Sequence, residues 1–171
     1  IYVFMGCVLA EAVQVQPWAR WALVGVLLFT AVESIAIYPN YLAFFNVAAG
    51  GPDAGPKYLL DSNLDWGQDL KGLKRWMERN QVEHVNLSYF GTADPAYYGI
   101  DCTYLPGSLL SRPDQRGEAV LPGWVAISVT NLRSSHSSPA LRAMCAALQR
   151  ERPDAVIGHS IRLYRLETQP W

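Results

Sequence analysis

The stretch YLLDSNLDWGQDL, residues 58–70, separates an apolar part of the chain from a part of ordinary soluble composition. It brings three carboxylates, two amides and an indole together within the nine positions 61–69. Such a cluster, placed shortly after an apolar segment long enough to span a membrane, predicts a site that faces a substrate at the membrane surface. The two sides of this stretch predict different kinds of structure.

Most of residues 1–49 is apolar, and Trp21–Ile37 carries a single charge, Glu33. With Trp18 and Tyr38 the segment reaches about 20 residues, which at ~1.5 Å per residue span a hydrocarbon core of ~30 Å. Aromatic residues at both ends are typical of a membrane interface. A buried core helix is the alternative reading of the same pattern.

The apolar part divides into a truncated helix at 1–13, a spanning helix at 18–38 and an interfacial segment at 39–49. The chain begins inside an apolar run, so we expect it to be a fragment of a longer protein. Residues 14–17 then form a tight turn between two membrane helices. Arg20 beside this turn favours a cytoplasmic turn by the positive-inside rule, which puts the rest of the chain outside the cytoplasm.

The alternating helix and strand patterns of residues 50–171 predict an extracytoplasmic domain. The expected elements are a helix at 68–80 burying Leu70, Leu73 and Met77, a half-buried strand at 84–90, a segment at 93–116 that is mostly loop, a strand at 124–130, a helix at 138–150 burying Leu141, Met144 and Leu148, and a third strand region at 155–166 broken at Gly158. Strands and helices in turn indicate a small α/β layer sandwich with a mixed sheet. The predicted fold class is therefore a membrane α-helical part followed by a small α/β soluble domain.

Charge and cysteine content exclude several functions. From residue 52 onward the chain carries 13 Lys and Arg against 13 Asp and Glu, and this neutral balance gives no reason to expect nucleic acid. The cysteines form neither a CxxC nor a metal-binding spacing. Only Cys102 and Cys145 lie outside the apolar region and could pair, although buried free cysteine is the commoner state.

The cluster at 61–69 first suggests a calcium loop, because Asp61, Asn63 and Asp65 occupy positions 1, 3 and 5. The pattern then fails, because position 6 is Trp66 instead of glycine and position 12 is Gly72 instead of glutamate. An EF-hand is thereby excluded, whereas a looser site for a divalent metal on these oxygens stays open.

Helix capping is the simpler interpretation of part of the cluster. Asp65 as N-cap with Gln68 three residues later matches a capping box, and Asp69 would favour the positive end of a helix. Carboxylate, amide and indole groups are also what a protein uses to hold a sugar. The candidate substrate-binding residues are Asp61, Asn63, Asp65, Trp66, Gln68 and Asp69.

Further candidates are weaker. The segment 90–99 follows a strand end, where α/β folds place ligand loops, and it offers Asp94, Tyr97 and Tyr98 as accessory residues. The serines and histidine of residues 134–137 predict a polar loop before a helix capped by Ser138, not a serine nucleophile with its base. His84 and His159 flank strands without a spacing that suits a metal.

Four segments in order resemble the C-terminal part of a known enzyme family: Tyr38–Asn46, Gly50–Pro52, Asp61–Leu70 and Ser88–Gly99. They are similar to bacterial integral-membrane glycosyltransferases of the protein-mannosyltransferase-like group with the GT-C architecture. The string DSNLDWGQD is the most specific part of this likeness. The resemblance implies a multi-pass protein of the bacterial inner (cytoplasmic) membrane with a periplasmic or extracellular C-terminal domain.

The resemblance also implies partners and a limit. The expected partners are the lipid bilayer, a polyprenyl-phosphate sugar donor and a glycan, lipid or protein acceptor, without nucleic acid. The family's catalytic acidic residues lie in the first external loop, to which no part of this chain corresponds. The chain alone is therefore expected to be inactive, and Asp65→Ala in the full-length enzyme to reduce transfer without affecting expression. A non-enzymatic, membrane-anchored extracytoplasmic binding domain is the alternative.

Overall fold

The structure, a computed structural model, describes residues 2–109, 117–134 and 138–171. The chain forms two compact units, Ile1–Tyr41 and Leu42–Trp171.

The first unit consists of two helices, α1 (Tyr2–Val15) and α2 (Pro17–Ala36). The break between them is confined to Gln16, whose backbone is extended (φ −122°, ψ 110°). The turn predicted at residues 14–17 is therefore too long. Pro17 occupies the first position of α2, where proline is well tolerated, and it restricts only the backbone of Gln16 before it. Among the described residues α2 alone is long and apolar enough to cross a membrane, by length and composition. The multi-pass arrangement implied by the resemblance would need further spans.

The second unit begins with short turns. Residues Tyr41–Ala43 and Val47–Ala49 form 3₁₀ turns, and the Asn46 side chain caps the second by accepting a hydrogen bond from the backbone N–H of Ala49 at 2.9 Å. Ala43 is buried against Leu64 and Val129. Residues from Leu42 onward therefore pack with the later part of the chain.

A mixed sheet of five strands organises the second unit. In chain order the strands are β1 (His84–Ser88), β2 (Asp101–Tyr104), β3 (Gly123–Ser128), β4 (Ala155–Ile157) and β5 (Ile161–Leu166). Their spatial order is β2-β1-β3-β5-β4, with β1 parallel to both its neighbours and β5 antiparallel to β3 and β4. The chain leaves β1 toward β2 and returns on its other side to β3. The mixed α/β sheet predicted from the sequence is confirmed.

Helices cover both faces of this sheet. Helix α3 (Leu70–Arg79) packs Leu70, Leu73 and Met77 against one face, and α5 (Pro139–Leu148) packs Leu141, Met144 and Leu148 against the other, as predicted. Ser138 caps α5 by accepting from the backbone N–H of Leu141. Because both faces are covered, residues 85–88 of β1 are all buried, and the half-buried strand predicted there is wrong.

Three other element predictions differ from the structure in detail. The segment 93–116, predicted to be mostly loop, contains a 3₁₀ turn at Pro95–Tyr98 and the short edge strand β2, whose partly exposed residues leave little hydrophobic pattern. Its residues 110–116 lie outside the described residues. Strand β3 ends at Ser128, where α4 (Val129–Arg133) begins, although its first residues are β-branched and favour a strand. The strand region predicted at 155–166 with a break at Gly158 is a hairpin of β4 and β5, so the break is confirmed; two residues of positive φ, Gly158 and His159, close the hairpin.

A buried amide ties β1 to the segment before β3. Asn86 is fully buried; its Nδ2 donates to the carbonyls of Val120 (2.9 Å) and Trp124 (3.0 Å), and its Oδ1 accepts from the N–H of Val120 (2.7 Å). A buried amide with three such bonds is stabilising only while all partners are present.

Replacing the Asn86 side chain should destabilise the second unit. We expect Asn86→Ala to lower the free energy of unfolding by roughly 2–4 kcal/mol, because it removes three hydrogen bonds of a fully buried amide and takes their partner from the backbone of Val120 and Trp124. Asn80→Ala is the matched control, since the Asn80 side chain donates one bond to Trp76 O at an exposed position. Denaturant unfolding of the purified chain in detergent checks this; equal losses in the two variants would contradict it.

Candidate functional site

The segment 61–69 lies at the carboxyl ends of the parallel strands β1 and β3. The backbone N–H of Asp61 donates to Thr130 Oγ1 just after β3 (3.3 Å), and the hydroxyl of Tyr89 just after β1 donates to the carbonyl of Gly67 (2.6 Å). From β1 the chain continues to β2 on one side of the sheet, whereas from β3 it continues to β4 and β5 on the other side. In α/β sheets such a point between parallel strand ends is where ligands usually bind.

Asp65 is the most deeply placed of the predicted residues. It is fully buried, and its Oδ1 accepts from the N–H of Gly67 at 2.8 Å. Its Oδ2 has no hydrogen-bond partner among the described residues. The hydroxyls of Ser128 and Thr130 lie near enough to favour the charged form, but neither forms a bond of ordinary geometry with Oδ2.

This environment disfavours the charged form of Asp65. Burial raises the pKa of Asp65 to about 7, and the neighbouring Asp69 charge acts in the same direction, while the Gly67 N–H opposes both. Burial also raises the pKa of the Tyr89 hydroxyl, with the Asp65 charge as the next cause, so Tyr89 remains a neutral donor to Gly67. The loop therefore encloses a carboxyl group that changes charge near neutral pH.

Asp69 is also buried and joins the loop to the β4–β5 hairpin. Ser160 Oγ donates to Asp69 Oδ2 at 2.6 Å. Burial raises the pKa of Asp69, and the Ser160 hydrogen bonds and the His159 charge oppose this shift. The ring of His159 itself pairs with the exposed carboxylate of Asp53 at 2.8 Å.

The capping box predicted for Asp65 and Gln68 is wrong. Helix α3 begins at Leu70 with Asp69 as its N-cap residue, and the Asp69 side chain forms no capping bond because it is engaged by Ser160. Gln68 instead closes the loop, accepting from the N–H of Trp66 (2.8 Å) and donating to the carbonyl of Leu64 (3.2 Å).

The other members of the cluster face solvent. Asp61 and Asn63 are exposed, and the side chain of Trp66 is 62% exposed. Asp61 adopts a positive φ of 58°. Its backbone carbonyl accepts hydrogen bonds from the N–H groups of Leu64 and Asp65, while its side chain lies outside. The loop thus divides into buried carboxylates and an exposed indole, carboxylate and amide.

The accessory residues lie on the connection from β1 to β2. Asp94 caps the 3₁₀ turn there by accepting from the N–H of Ala96 at 3.0 Å, so it has a structural role. Tyr97 is 85% exposed, and its ring meets that of the partly buried Tyr98 edge to face at 5.3 Å. An open cavity of about 290 Å³ lies beside them, lined by Ala96, Gly99, Ile100, Asp101, Cys102 and Tyr104.

Other candidates have ordinary partners. His84 contacts Asp101 (3.0 Å) and Thr103 (3.1 Å) across the β1–β2 pair, at the amino end of β1. In the part of the chain that the structure describes, no three His, Cys, Asp or Glu side chains gather into a metal site, and the three cysteines are free. Residues 135–137 of the predicted polar loop lie outside the described residues.

Sequence reasoning missed the groups that receive the loop: Tyr89, Ser128, Thr130 and Ser160. Three of them follow or end the strands β1 and β3, so correct strand ends would have marked them. Ser160 carries no such local signal, since it meets Asp69 across 91 residues.

Comparisons of the chain with protein-family models, with curated proteins and with solved structures found no match.

The raised pKa of Asp65 gives stability a defined pH dependence. Between about pH 4 and pH 7 the unfolded carboxyl is ionised and the folded one still holds its proton, so stability should fall as the pH rises through this window, by up to roughly 4 kcal/mol. Asp65→Asn, which cannot ionise, should gain stability relative to the wild type over the same window.

Unfolding of the full chain in detergent, followed by near-UV circular dichroism of the packed Trp76–Trp124 pair, measures this difference. Asp65→Ala is the control, because it loses the acceptor of the Gly67 N–H and should be less stable than Asp65→Asn at every pH. Parallel pH profiles of the wild type and Asp65→Asn would contradict the assignment.

Gly158 should be indispensable for the contact between hairpin and loop. Its φ is +56°, and a Cβ there would overlap the carboxylate of Asp69. We expect Gly158→Ala to lower the free energy of unfolding by roughly 2–4 kcal/mol, from backbone strain plus displacement of Asp69. Gly99→Ala is the matched control, because Gly99 also has a left-handed backbone (φ +69°, ψ 29°) and a Cβ there would meet only side-chain atoms of Lys74 at ordinary contact distances. It should lose about 1–2 kcal/mol from backbone strain alone, and equal losses in denaturant unfolding would rule out the contact.

Proposed function

We propose that this chain is the C-terminal part of an integral-membrane glycosyltransferase, with its α/β unit outside the cytoplasm. The enzyme would move a sugar from a polyprenyl-phosphate donor to an acceptor at the outer face of the bacterial inner membrane. The observation that carries the proposal is the exposed face of the loop 61–69 at the carboxyl ends of the parallel strands β1 and β3. The resemblance of the string DSNLDWGQD to that enzyme group supports it. Helix α2 suits a membrane anchor by length and composition.

The exposed groups of this loop suit a sugar. A flat indole such as that of Trp66 can cover the apolar face of a sugar ring, while the Asp61 carboxylate accepts and the Asn63 amide both donates and accepts hydrogen bonds from hydroxyls. All three lie within six positions of a loop whose backbone is held from inside. Residues presented from a rigid scaffold bind with less loss of conformational entropy.

The buried members of the loop have a supporting role in this proposal. Asp65 and Asp69 are enclosed and directed toward Gly67 and Ser160, so neither contacts a sugar in this conformation. The loss of transfer expected for Asp65→Ala would then arise through the loop's conformation, with an accompanying loss of stability. Gln68 likewise supports Trp66 through the backbone.

No catalytic role is assigned to residues of this chain. Transfer from a lipid phosphate needs a carboxylate that removes the proton of the acceptor hydroxyl. The resemblance implies that this base lies in the first external loop of the enzyme. The α/β unit would shape the acceptor or sugar side of the cleft, and no metal is part of the proposal.

Trp66 is the residue to test. In the full-length enzyme in native membranes, Trp66→Ala should reduce kcat/KM for transfer from a polyprenyl-phosphate sugar about ten-fold, or ~1.4 kcal/mol, with normal abundance. Trp66→Tyr should recover most of the activity, because a smaller aromatic ring still covers the sugar; a purely structural role would not predict this recovery. Val120→Ala, at an exposed apolar side chain elsewhere in the unit, is the control.

Unchanged transfer by Trp66→Ala would remove this loop from the substrate path. If the full-length wild type transferred no sugar from such donors, the alternative of a membrane-anchored binding domain would be favoured. Quenching of Trp66 fluorescence by added oligosaccharides would then test the loop as a ligand site.

A further inference from the structure

Five apolar side chains of the second unit are exposed on two neighbouring segments. They are Leu42, Phe44, Val47, Tyr58 and Leu59, called the apolar patch below. Single exposed apolar residues are ordinary on protein surfaces, whereas several together mark an interaction site.

The two segments of the patch are packed against each other. The ring of Phe45 lies directly on Gly55, where a Cβ would come within 2.5 Å of two ring carbons. The same ring stacks on that of Tyr58, with centroids 6.4 Å apart and planes at 25°. Asn46 caps the turn between the segments. Phe45 therefore joins both segments into one surface and leaves the five patch side chains outside.

We propose that the apolar patch rests on the outer surface of the membrane, at the boundary between headgroups and acyl chains. The inference rests on the membrane anchorage in the proposed function and adds a second point of lipid contact. The chain itself supplies the argument for this occupant: Leu42 follows Ala36, the last residue of α2, by six positions. Six residues extend at most about 20 Å, so the patch remains near any bilayer that α2 crosses.

The composition of the patch suits this location. Tyrosine, with an apolar ring and a polar tip, is enriched at membrane interfaces. Lys57 is exposed next to Tyr58 and could place its charge at headgroup level while its stem covers apolar surface. Phenylalanine and leucine supply the apolar contact that holds a peripheral segment in the interface.

The location also refines the proposed function. Leu59 is followed after one residue by Asp61, the first residue of the exposed loop. A patch resting on the bilayer keeps Asp61, Asn63 and Trp66 at headgroup height. The sugar of a polyprenyl-phosphate donor lies at this height, because its lipid tail is in the membrane.

Spin labels on the full chain in liposomes of phosphatidylethanolamine and phosphatidylglycerol test the inference. The native Cys7, Cys102 and Cys145 are replaced, and single cysteines are introduced by Val47→Cys, Leu59→Cys, Val26→Cys in α2 and Val120→Cys as an exposed control. The accessibility of each label to oxygen, which concentrates in lipid, is compared with its accessibility to a water-soluble nickel chelate. Circular dichroism confirms that each variant is folded.

We expect labels at 26, 47 and 59 to favour oxygen and the label at 120 to favour the nickel chelate. Labels at 47 and 59 that behave like 120, with 26 in lipid, would overturn the inference and leave the anchor intact. A label at 26 that favours the nickel chelate would instead refute the anchor in the proposed function. Protection of 47 and 59 from both reagents would mean that protein covers the patch, which also overturns the inference.

Discussion

The second unit depends on the burial of two carboxyl groups, Asp65 and Asp69, beneath one loop. Burying a carboxylate is unfavourable unless hydrogen bonds compensate it, and each group has its own partner: the Gly67 amide for Asp65 and the Ser160 hydroxyl for Asp69. These bonds determine how the chain enters α3 and where the β4–β5 hairpin lies. Asp65 keeps one oxygen without a bond among the described residues. Burial raises the pKa of Asp65, so it holds its proton to higher pH than an ordinary aspartate.

Because two of its carboxyl groups point inward, the polar loop 61–69 stabilises the fold and still exposes other side chains. The buried carboxylates Asp65 and Asp69 are not available to a ligand in this conformation. The exposed side chains of Asp61, Asn63 and Trp66 are presented on a backbone held by Tyr89 and Thr130 from the strand ends. A recognition surface on this loop would therefore be rigid, and its geometry would be sensitive to the protonation of Asp65.

The helices were predictable because their signals are local. Helix α5 has Ser138 and Pro139 at its start, and α3 repeats its buried residues with a helical period. Strand β2 was missed because it lies at the sheet edge and is short. The roles within the candidate site could not be derived, because Asp69 meets Ser160 across 91 residues and no pattern near Asp69 records this. Asp65 resembles an N-cap in the sequence, but burial against the strand ends removes it from that position.

The apolar patch and the candidate site share one small cluster of buried residues. Leu64, in the middle of the loop, packs with Ala43 from the first segment of the patch and with Val129 just after β3. The patch, the loop and the carboxyl edge of the sheet therefore belong to one packed body, since moving any one of them would open this cluster. If the patch contacts lipid, the contact positions the loop as well. Ligand binding to the loop would then change the affinity of the patch for lipid by the same factor as lipid changes the affinity of the loop, because coupling between two binding surfaces is reciprocal.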